Sequence, residues 1–313
     1  MGIVVRKASL DDVKGIVDVN CSGVVKWYKE VDGKRVEASY EELSVEERWS
    51  HGGPWMSIET CSIHLNYLLI NNQYPLVAEI DGRIVGELEL YIGEEMGVLG
   101  KSAFIDILWV HRNYRRKGVG RALINKALQI AIENNCDTLS VWPEEKAIPF
   151  YKKVGLNKIA FKIDHVVIDL SSHIIPIGDH QFIFELPEGY DKVKKMYLIS
   201  PRIESAYTVW IKNQWLYAVE EARMKIEEGQ ILDLEAVYVI ENLWRKRREA
   251  RLILWTLNLK KINKILKAIF YRAKQLGFNK IQMYIEDEVY RESIINEVNH
   301  EIKGKHVVLA KTL

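Results

Sequence analysis

Residues 110–122 read VHRNYRRKGVGRA and lie between an apolar, strand-like run and a long amphipathic helix pattern. Gly118 and Gly120 permit a tight turn and let an anion come close to the backbone. The first turn of the helix that follows leaves several N–H groups without intrahelical partners, at the positive end of the helix dipole. Four cations stand in the same stretch: Arg115, Arg116, Lys117 and Arg121. The stretch therefore predicts a cradle for a diphosphate group.

The segments around this stretch follow the order β-α-α-β-β-β-α-β-α-β. Strand patterns at 75–80 and 83–92 flank Asp81-Gly82, a dipeptide that tolerates the positive φ angles of a hairpin turn. The other predicted elements are strands at 3–6, 104–110, 138–142 and 158–170, a capped first helix after Ser9, mostly helical structure from 23 to 73, and helices at 118–134 and 147–154. This mixture favours an α+β fold that contains an antiparallel hairpin.

Two segments carry a resemblance to a known family. Arg115-x-x-Gly118-x-Gly120, placed after a strand that ends at Val110, resembles motif A of the GNAT N-acetyltransferases. Residues 147–156, AIPFYKKVGL, resemble the motif B ending of the same family at the expected distance downstream. The resemblance covers about the first 170 residues. It implies the GNAT fold, a mixed and mostly antiparallel sheet flanked by helices.

A domain junction is predicted between 171 and 179, where two serines, Pro176 and Gly178 occur together. It separates an acetyltransferase domain at 1–170 from a second α/β module at 171–313. The second module shows strand patterns at 208–212, 216–224, 232–239 and 280–285, and a long basic-then-apolar helix that ends near Leu276.

The second module repeats the element order of the first half loosely. Residues 233–237 resemble residues 106–110 in the same loose way. No glycine occurs between Gly229 and Gly277, where a diphosphate cradle would need one. The second half is therefore expected to be a degenerate GNAT-like domain that serves as a scaffold, a partner surface or a contributor to the acceptor cleft.

The resemblance implies an N-acetyltransferase in which an amine attacks the thioester of acetyl-CoA directly, without a covalent acetyl-enzyme. In the family, pantetheine amides pair with the free edge of the strand before motif A, here residues 107–110. The implied cofactor-binding residues are Leu108, Trp109, Val110, Arg115, Arg116, Lys117, Gly118, Val119, Gly120 and Arg121. Acetyl-CoA is the expected co-substrate, and no metal is predicted because the eight histidines show no ligand spacing.

A protonated amine cannot attack a carbonyl, so a general base, or water leading to a carboxylate, should lie beside the acceptor. Glu87, Glu89 and Asp106 are the candidates. The two glutamates share one face of a strand, and the alternative for them is an ordinary solvated face. Tyr151 matches the position at which the family often places a tyrosine that protonates or hydrogen-bonds the departing CoA sulfur. Its alternative is a packing role.

One residue departs from the family pattern. Glu144 replaces the asparagine that commonly precedes the motif B alanine by three residues. It either reads a cationic acceptor or faces solvent in a loop. The change keeps a second interpretation open, in which the domain binds acetyl-CoA as a sensor or assembly module without turnover. The basic cluster at 245–251 offers a third interpretation, a nucleic-acid surface, against which a solvated helix face is the alternative.

The sequence leaves the acceptor open. Aromatic residues crowd the region before the hairpin, and they would form either an acceptor wall or ordinary packing: Trp27, Tyr28, Tyr40, Trp49 and Trp55. A small amine, an aminoacyl group and a protein amine all remain candidates. The oligomeric state is open as well.

Composition bounds the class of protein. The 313 residues carry 44 Lys plus Arg against 43 Asp plus Glu, and this net charge of +1 gives no general reason to expect nucleic acid or membrane as a partner. Cys21, Cys61 and Cys136 are isolated, which favours a reducing, cytoplasmic location. No apolar run approaches the length of a membrane span.

Overall fold

The computed structural model describes residues 2–171, 180–215, 225–243 and 246–313. These residues form two compact units. Unit 1 holds 2–92 and 105–135 together with Trp215, and unit 2 holds the described residues of 93–104, 136–214 and 225–313. The domains at 1–170 and 171–313 follow different bounds and stay a prediction about the two halves of the chain.

The first elements of unit 1 are, in chain order, β1 (Val4–Lys7), α1 (Val13–Cys21), β2 (Trp27–Val31), β3 (Lys34–Ala38), α2 (Val45–Trp49) and α3 (Ile58–Ile70). A capping box of Ser9 and Asp12 precedes α1, as the sequence indicates. The prediction of mostly helical structure from 23 to 73 is wrong for the β2–β3 hairpin. Asp32 and Gly33 have φ angles of +49° and +72°, so a second Asp-Gly turn decides this segment.

Unit 1 continues with β4 (Tyr74–Ile80), β5 (Arg83–Glu94), β6 (Lys101–Val110) and α4 (Val119–Glu133). The strand order is β1-β4-β5-β6. Asp81 and Gly82 have φ angles of +49° and +79°, which confirms the predicted hairpin turn. Helix α4 lies against β5 at Gly86, where a Cβ atom would come within 2.8 Å of Val119 Cγ1. A glycine is therefore needed for α4 to reach the sheet.

The elements of unit 2 are, in chain order, β7 (Thr138–Val141), α5 (Ile148–Lys153), β8 (Lys158–Asp169), β9 (Phe182–Ile183), β10 (Tyr197–Ser200), α6 (Ala206–Asn213), β11 (Lys225–Ile231), β12 (Ala236–Leu243), β13 (Lys246–Thr256), α7 (Ile262–Gln275), β14 (Lys280–Glu286), α8 (Asp287–Glu292) and β15 (His300–Thr312). The strand order is β7-β15-β8-β14-β13-β12-β11-β9, with β10 beside β13. Strands β13 and β14 are parallel, whereas β7, β15, β8 and β14 are successively antiparallel. The predicted α+β class, with a mixed and mostly antiparallel sheet, is confirmed.

Strand β15, at the end of the chain, lies between two strands of the first half. Its Leu309 pairs with Val141 of β7, and its Val308 pairs with Phe161 of β8. Val308 and Leu309 are buried, so the insertion is part of the core. The sequence pattern gives no sign of this arrangement, because register between distant strands is set by tertiary packing.

Two predictions for the second half are wrong. Residues 208–212 belong to helix α6 rather than to a strand, because Ser205 caps its first turn and Trp210 packs into the core on one face. The predicted long helix begins only at Ile262. Its basic part is strand β13, in which Leu252 and Leu254 alternate with Arg251 and Ile253 between two neighbouring strands.

The loose repeat at 233–237 also fails in detail. Asp233 lies in a 3-10 turn, whereas Asp106 lies within strand β6. By element order, the counterpart of the β6-α4-β7 succession is β13-α7-β14. The predicted junction at 171–179, apart from Ser171, and the predicted strand at 216–224 lie outside the described residues.

Candidate active site

The loop before α4 has the geometry that its glycines predict. Gly118 is the residue before the helix and has a φ angle of +91°, a left-handed conformation that glycine adopts without a Cβ penalty. Arg116 also has a positive φ angle, of +65°. Helix α4 then runs for 15 residues, so its dipole is fully developed, and no side chain caps its first turn.

The cations of this loop lie at the surface. Arg115, Arg116, Lys117 and Arg121 are all exposed. The Arg115 Nε atom donates a hydrogen bond to the Val110 carbonyl at 3.1 Å, and its guanidinium stands 5.4 Å from the centre of the Trp109 ring. These contacts hold the loop against the end of β6 while leaving positive charge around the helix start.

The burial of strand β6 changes along its length. Residues 102–105 are buried, whereas residues 106–110 are half-buried, including Asp106, Leu108 and Val110. The Trp109 indole lies over Gly23, where a Cβ atom would come within 2.7 Å of the ring, and its buried Nε1 atom has no acceptor among the described residues. The half-open end of β6 fits a role as a cofactor edge, which stays a prediction.

Glu87 and Glu89 share one face of β5, as the alternation predicts, but neither is solvated. Each is 3% exposed. Glu87 accepts a short hydrogen bond from the side-chain amide of Asn20 on α1. Glu89 accepts from the Trp55 indole at 2.7 Å and from His64 Nε2 at 2.9 Å. The alternative of an ordinary solvated strand face is therefore wrong for both.

The environment of Glu87 changes its charge. Burial, together with the negative charge of Glu89, raises the pKa of the Glu87 carboxyl well above its ordinary value, and the hydrogen bond from Asn20 offsets only part of this. The raised pKa favours the neutral form of Glu87 relative to an exposed glutamate. Two acidic groups on one strand face therefore have different surroundings, a pattern typical of sites that handle protons.

Tyr151 lies on α5 in unit 2 and is 6% exposed. Its ring meets Phe150 edge to face at 5.1 Å. Burial, and to a lesser degree the charge of Glu144, raises the pKa of the Tyr151 hydroxyl, which therefore stays protonated at physiological pH. A protonated hydroxyl is what a proton donor to a leaving thiolate needs.

The surroundings of Glu144 are those of a solvent-facing loop residue rather than of a residue that contacts a cationic acceptor. It is exposed and forms an ion pair of 2.8 Å with Lys146, which is itself exposed. Surface pairs of this kind contribute little to stability.

Three residues at this site were not singled out by sequence reasoning. His64 and Asn20 are buried polar residues on α3 and α1, and Trp215 is remote in the sequence. A signal existed for His64, because Thr60 and His64 follow one another at helical spacing on the buried face of α3. No local pattern marks Trp215.

The aromatic region before the hairpin divides into two parts. Trp27 packs edge to face against Tyr40 at 5.2 Å and against His51 at 4.7 Å, as a packing cluster does. Trp55 instead donates to Glu89. Only Trp55 of this group is thus tied to the buried carboxylates by a described hydrogen bond.

Two other kinds of site are absent from the described ranges. No group of three or more His, Cys, Asp or Glu residues lies close enough to hold a metal ion. None of the helices there is both long and apolar enough to cross a bilayer.

Comparisons with known proteins agree with this geometry. The sequence model of the acetyltransferase (GNAT) family matches residues 36–156. A 75-residue segment is 35% identical to the glucosamine 6-phosphate N-acetyltransferase of Trypanosoma brucei brucei, and the match covers 24% of this chain and 51% of that protein. The chain thus spans about half the length of the curated relative that it matches.

Solved structures resemble the chain along its whole length. A GCN5-related N-acetyltransferase from Kribbella flavida aligns with a TM-score of 0.59 at 10% identity, over 100% of this chain and 71% of that one. Another from Anabaena variabilis aligns with a TM-score of 0.55 at 12% identity, over 99% and 72%. These structural matches, together with the glycine loop before α4, identify the fold as the GNAT fold. Within this fold, the stretch at 36–156 is similar in sequence to the GNAT acetyltransferase family.

Proposed function

We propose that this protein transfers the acetyl group of acetyl-CoA to a primary amine. The start of α4 carries the proposal: Gly118 in its left-handed conformation precedes an uncapped first turn of a 15-residue helix, among exposed cations. Free N–H groups, a helix dipole and arginines are the features that bind a diphosphate. The diphosphate of acetyl-CoA is the ligand that the family match supplies.

The proposed contacts follow from this placement. Arg115, Arg116, Lys117 and Arg121 surround the diphosphate with charge, and residues 118–120 bring the backbone to it. Residues 108–110 at the half-buried end of β6 are the proposed edge for the pantetheine amides. The second half, 171–313, is proposed to be a GNAT-like module without such a loop.

In the proposed reaction, the neutral amine attacks the thioester carbonyl carbon. A carbon–nitrogen bond forms, the carbon–sulfur bond breaks, and CoA leaves as a thiolate that takes up a proton. The nitrogen loses one proton as the amide forms, and this proton restores the group that protonated the thiolate. Tyr151 is the proposed donor, because burial keeps its hydroxyl protonated. The amine must lose a proton before it attacks, and Asp106, Glu87 and Glu89 remain the acidic candidates for assisting that step.

An amino sugar is the first acceptor to test. The relative from Trypanosoma brucei brucei is named for acetylation of glucosamine 6-phosphate.

The experiment that tests the cofactor site is isothermal calorimetry with acetyl-CoA. Gly120→Glu places a side chain and a negative charge at the helix start, and we expect it to weaken binding by more than 100-fold. Asn125→Glu is the matched control, because it adds the same charge at an exposed position farther along α4. Absence of binding in the wild-type protein, or equal binding in both variants, contradicts the proposal.

A second candidate function is a module that binds acetyl-CoA without turnover. The observation that favours it is Glu87, a proposed base whose buried carboxyl has a raised pKa that favours its protonated form. Tight acetyl-CoA binding without thiol release, across a panel of glucosamine 6-phosphate, spermidine and a lysine peptide, would support this candidate against the transferase.

A further inference from the structure

Three residues of unit 1 form hydrogen bonds with the Glu89 carboxylate. Together with Glu89 they are here called the Glu89 cluster: Glu89, His64, Trp55 and Tyr91. Besides the bonds from Trp55 and His64, Glu89 accepts from the Tyr91 hydroxyl at 3.4 Å. Glu89 is 3% exposed and His64 is 8% exposed. Several donors around one buried carboxylate fix its orientation and occupy its lone pairs.

The His64 ring is fixed on both sides by tryptophans. Trp55 meets it edge to face at 5.0 Å and Trp215 at 5.2 Å. Trp215 is held in turn by stacking on Tyr67 at 5.4 Å. The second half of the sequence thus contributes one residue that positions His64.

The partner of His64 decides which ring nitrogen takes up a proton. An ionised carboxylate only accepts, so the bond to Glu89 assigns the proton to Nε2. In that tautomer Nδ1 is the nitrogen with a free lone pair. This is the arrangement in which a carboxylate orients an imidazole base.

Glu87 stands in contrast to this pair. Its described hydrogen-bond partner is an amide, and burial with the nearby Glu89 charge raises the pKa of its carboxyl. The protonated form of Glu87, which the raised pKa favours, does not accept the proton of an ammonium group. The imidazole of His64 is therefore better suited to that role than Glu87.

A small cavity joins these groups. Its volume is about 10 Å³, and Trp55, Cys61, His64, Glu87 and Glu89 are among its lining residues. That volume is roughly the space that one water needs. The cavity therefore has room for about one water among these side chains.

We infer that His64, oriented by Glu89, accepts through a water the proton that the acceptor ammonium must lose. The inference rests on the proposed acetyl transfer. The ammonium nitrogen gives its proton to water, and that water passes a proton to His64 Nδ1. The freed nitrogen lone pair then forms the carbon–nitrogen bond as the carbon–sulfur bond breaks. The nitrogen loses its second proton as the amide forms, and this proton balances the one that the CoA thiolate takes up. The proton held by His64 returns to solvent before the next turnover.

The described titratable groups around His64 come from two elements. Strand β5 contributes Glu87, Glu89 and Tyr91, and helix α3 contributes Cys61 and Tyr67. Burial, together with the two glutamates, raises the pKa of the Cys61 thiol, so it stays neutral at physiological pH.

The test is the pH profile of acetyl-CoA thiol release with glucosamine 6-phosphate, between pH 6 and pH 10, for His64→Gln and wild type. We expect kcat/KM of the variant to fall by about 100-fold at pH 7, the size typical of general-base assistance. The loss should shrink at high pH, where the amine arrives already deprotonated. We expect Glu89→Gln to lower kcat/KM over the same pH range as His64→Gln.

His51→Gln is the matched control. His51 is a half-buried, ring-packed histidine of the same unit whose Nε2 pairs with the Tyr28 backbone. It should leave the profile unchanged. The acetyl-CoA dissociation constant of His64→Gln should stay within about twofold of wild type, because the cradle residues lie at α4.

Each other outcome is decisive. A uniform loss at every pH, or loss of the pH-dependent part in Asp106→Asn alone, overturns the role of His64 while leaving acetyl transfer standing. Absence of turnover in the wild type with every amine overturns the proposed function and this inference with it. If His64→Gln does not fold, nitrogen NMR of the wild type decides, because a proton on Nδ1 of His64 contradicts the assignment.

Discussion

The two halves of the chain each place a helix after a strand, and the starts of these helices differ. In the first half, α4 starts after Gly118, with no side-chain cap and with exposed cations beside it. In the second half, Asn258 caps the turn before α7 by accepting from the Lys260 N–H at 3.1 Å. Lys261 there is paired with Glu235 at 2.8 Å. The start of α4 thus has a left-handed glycine and exposed cations, whereas the turn that leads into α7 has a side-chain cap and a paired lysine.

The buried glutamates of the two hairpins differ in the same way. Glu241 on β12 is 5% exposed and is paired with Arg251 at 2.6 Å. Glu87 on β5 is as deeply buried but has no ion pair among the described residues. The second half neutralises its own charges, as a scaffold does. In the first half, Glu87 is buried without an ion pair among the described residues, an arrangement that is more common at functional sites than in scaffolds.

The largest expected effect tests whether either half stands alone. Removing residues 300–313 takes away β15 and leaves β7 and β8 without their shared neighbour. Unpaired buried backbone and the loss of Val308, Leu309 and Ala310 from the core should abolish cooperative unfolding. Circular dichroism with thermal melting measures this. A truncated chain that melts cooperatively near the wild-type temperature would show that the first half folds without β15.

The next effect contrasts the two helix starts by charge. Arg116→Glu with Lys117→Glu should weaken acetyl-CoA binding by roughly 10- to 100-fold, with the difference shrinking at high salt. Lys260→Glu with Lys264→Glu reverses two exposed cations at α7 and should change binding by less than about twofold. Calorimetry at two ionic strengths gives the comparison. Equal losses for both pairs would mean that binding follows net charge rather than the α4 loop.

Substitution of the two buried glutamates by glutamine should change stability in different directions. Glu241→Gln breaks the ion pair with Arg251 and should destabilise by about 2 kcal/mol, less than for a fully buried pair because Arg251 is partly exposed. Glu87→Gln keeps an acceptor for Asn20 and removes a group that resists ionisation, so it should be neutral or stabilising at neutral pH.

The sign of the pH dependence for Glu87 follows from its raised pKa. Stabilisation from its protonated form is full below the ordinary value of 4.5 and is lost as pH rises through the raised pKa of the folded state. The melting temperature of wild type should therefore fall relative to Glu87→Gln between pH 5 and pH 9. Differential scanning fluorimetry measures both curves, and a constant difference across that range would contradict the raised pKa.

The smallest effect concerns the side-chain cap of the turn before α7. Asn258→Ala removes a side-chain cap and should cost about 1 kcal/mol of stability. It should leave acetyl-CoA affinity unchanged. Denaturant unfolding and calorimetry check the two parts separately, and tighter acetyl-CoA binding after removal of the cap would reveal a second cofactor loop.

Sequence reasoning predicts well where structure is local. The loop at 115–120, the Asp81-Gly82 turn and the helix ended by Gly155 follow from glycine conformation and helix capping, which act within a few residues. It fails for α6 and for the basic strand β13, where burial against neighbours overrides the local pattern.

The residues of the candidate site also fall into those that are close together in the sequence and those that only the fold brings together. The cofactor residues can be proposed from one continuous stretch, 107–121, because a helix start needs only its own sequence. The proton-handling residues cannot, because His64, Glu89 and Trp215 meet only through folding. Alternation places Glu87 and Glu89 on one face but does not say whether water or α1 and α3 cover that face.

The sequence by itself thus determined the family resemblance, the α4 loop and the lack of such a loop at α7, since each depends on residues close together in the chain. The tertiary structure alone decided the burial of Glu87 and Glu89, the pairing of His64 with Glu89, and the position of β15 between β7 and β8. These features depend on contacts between residues tens to hundreds of positions apart, and such contacts follow from the packing of the whole core rather than from any local pattern.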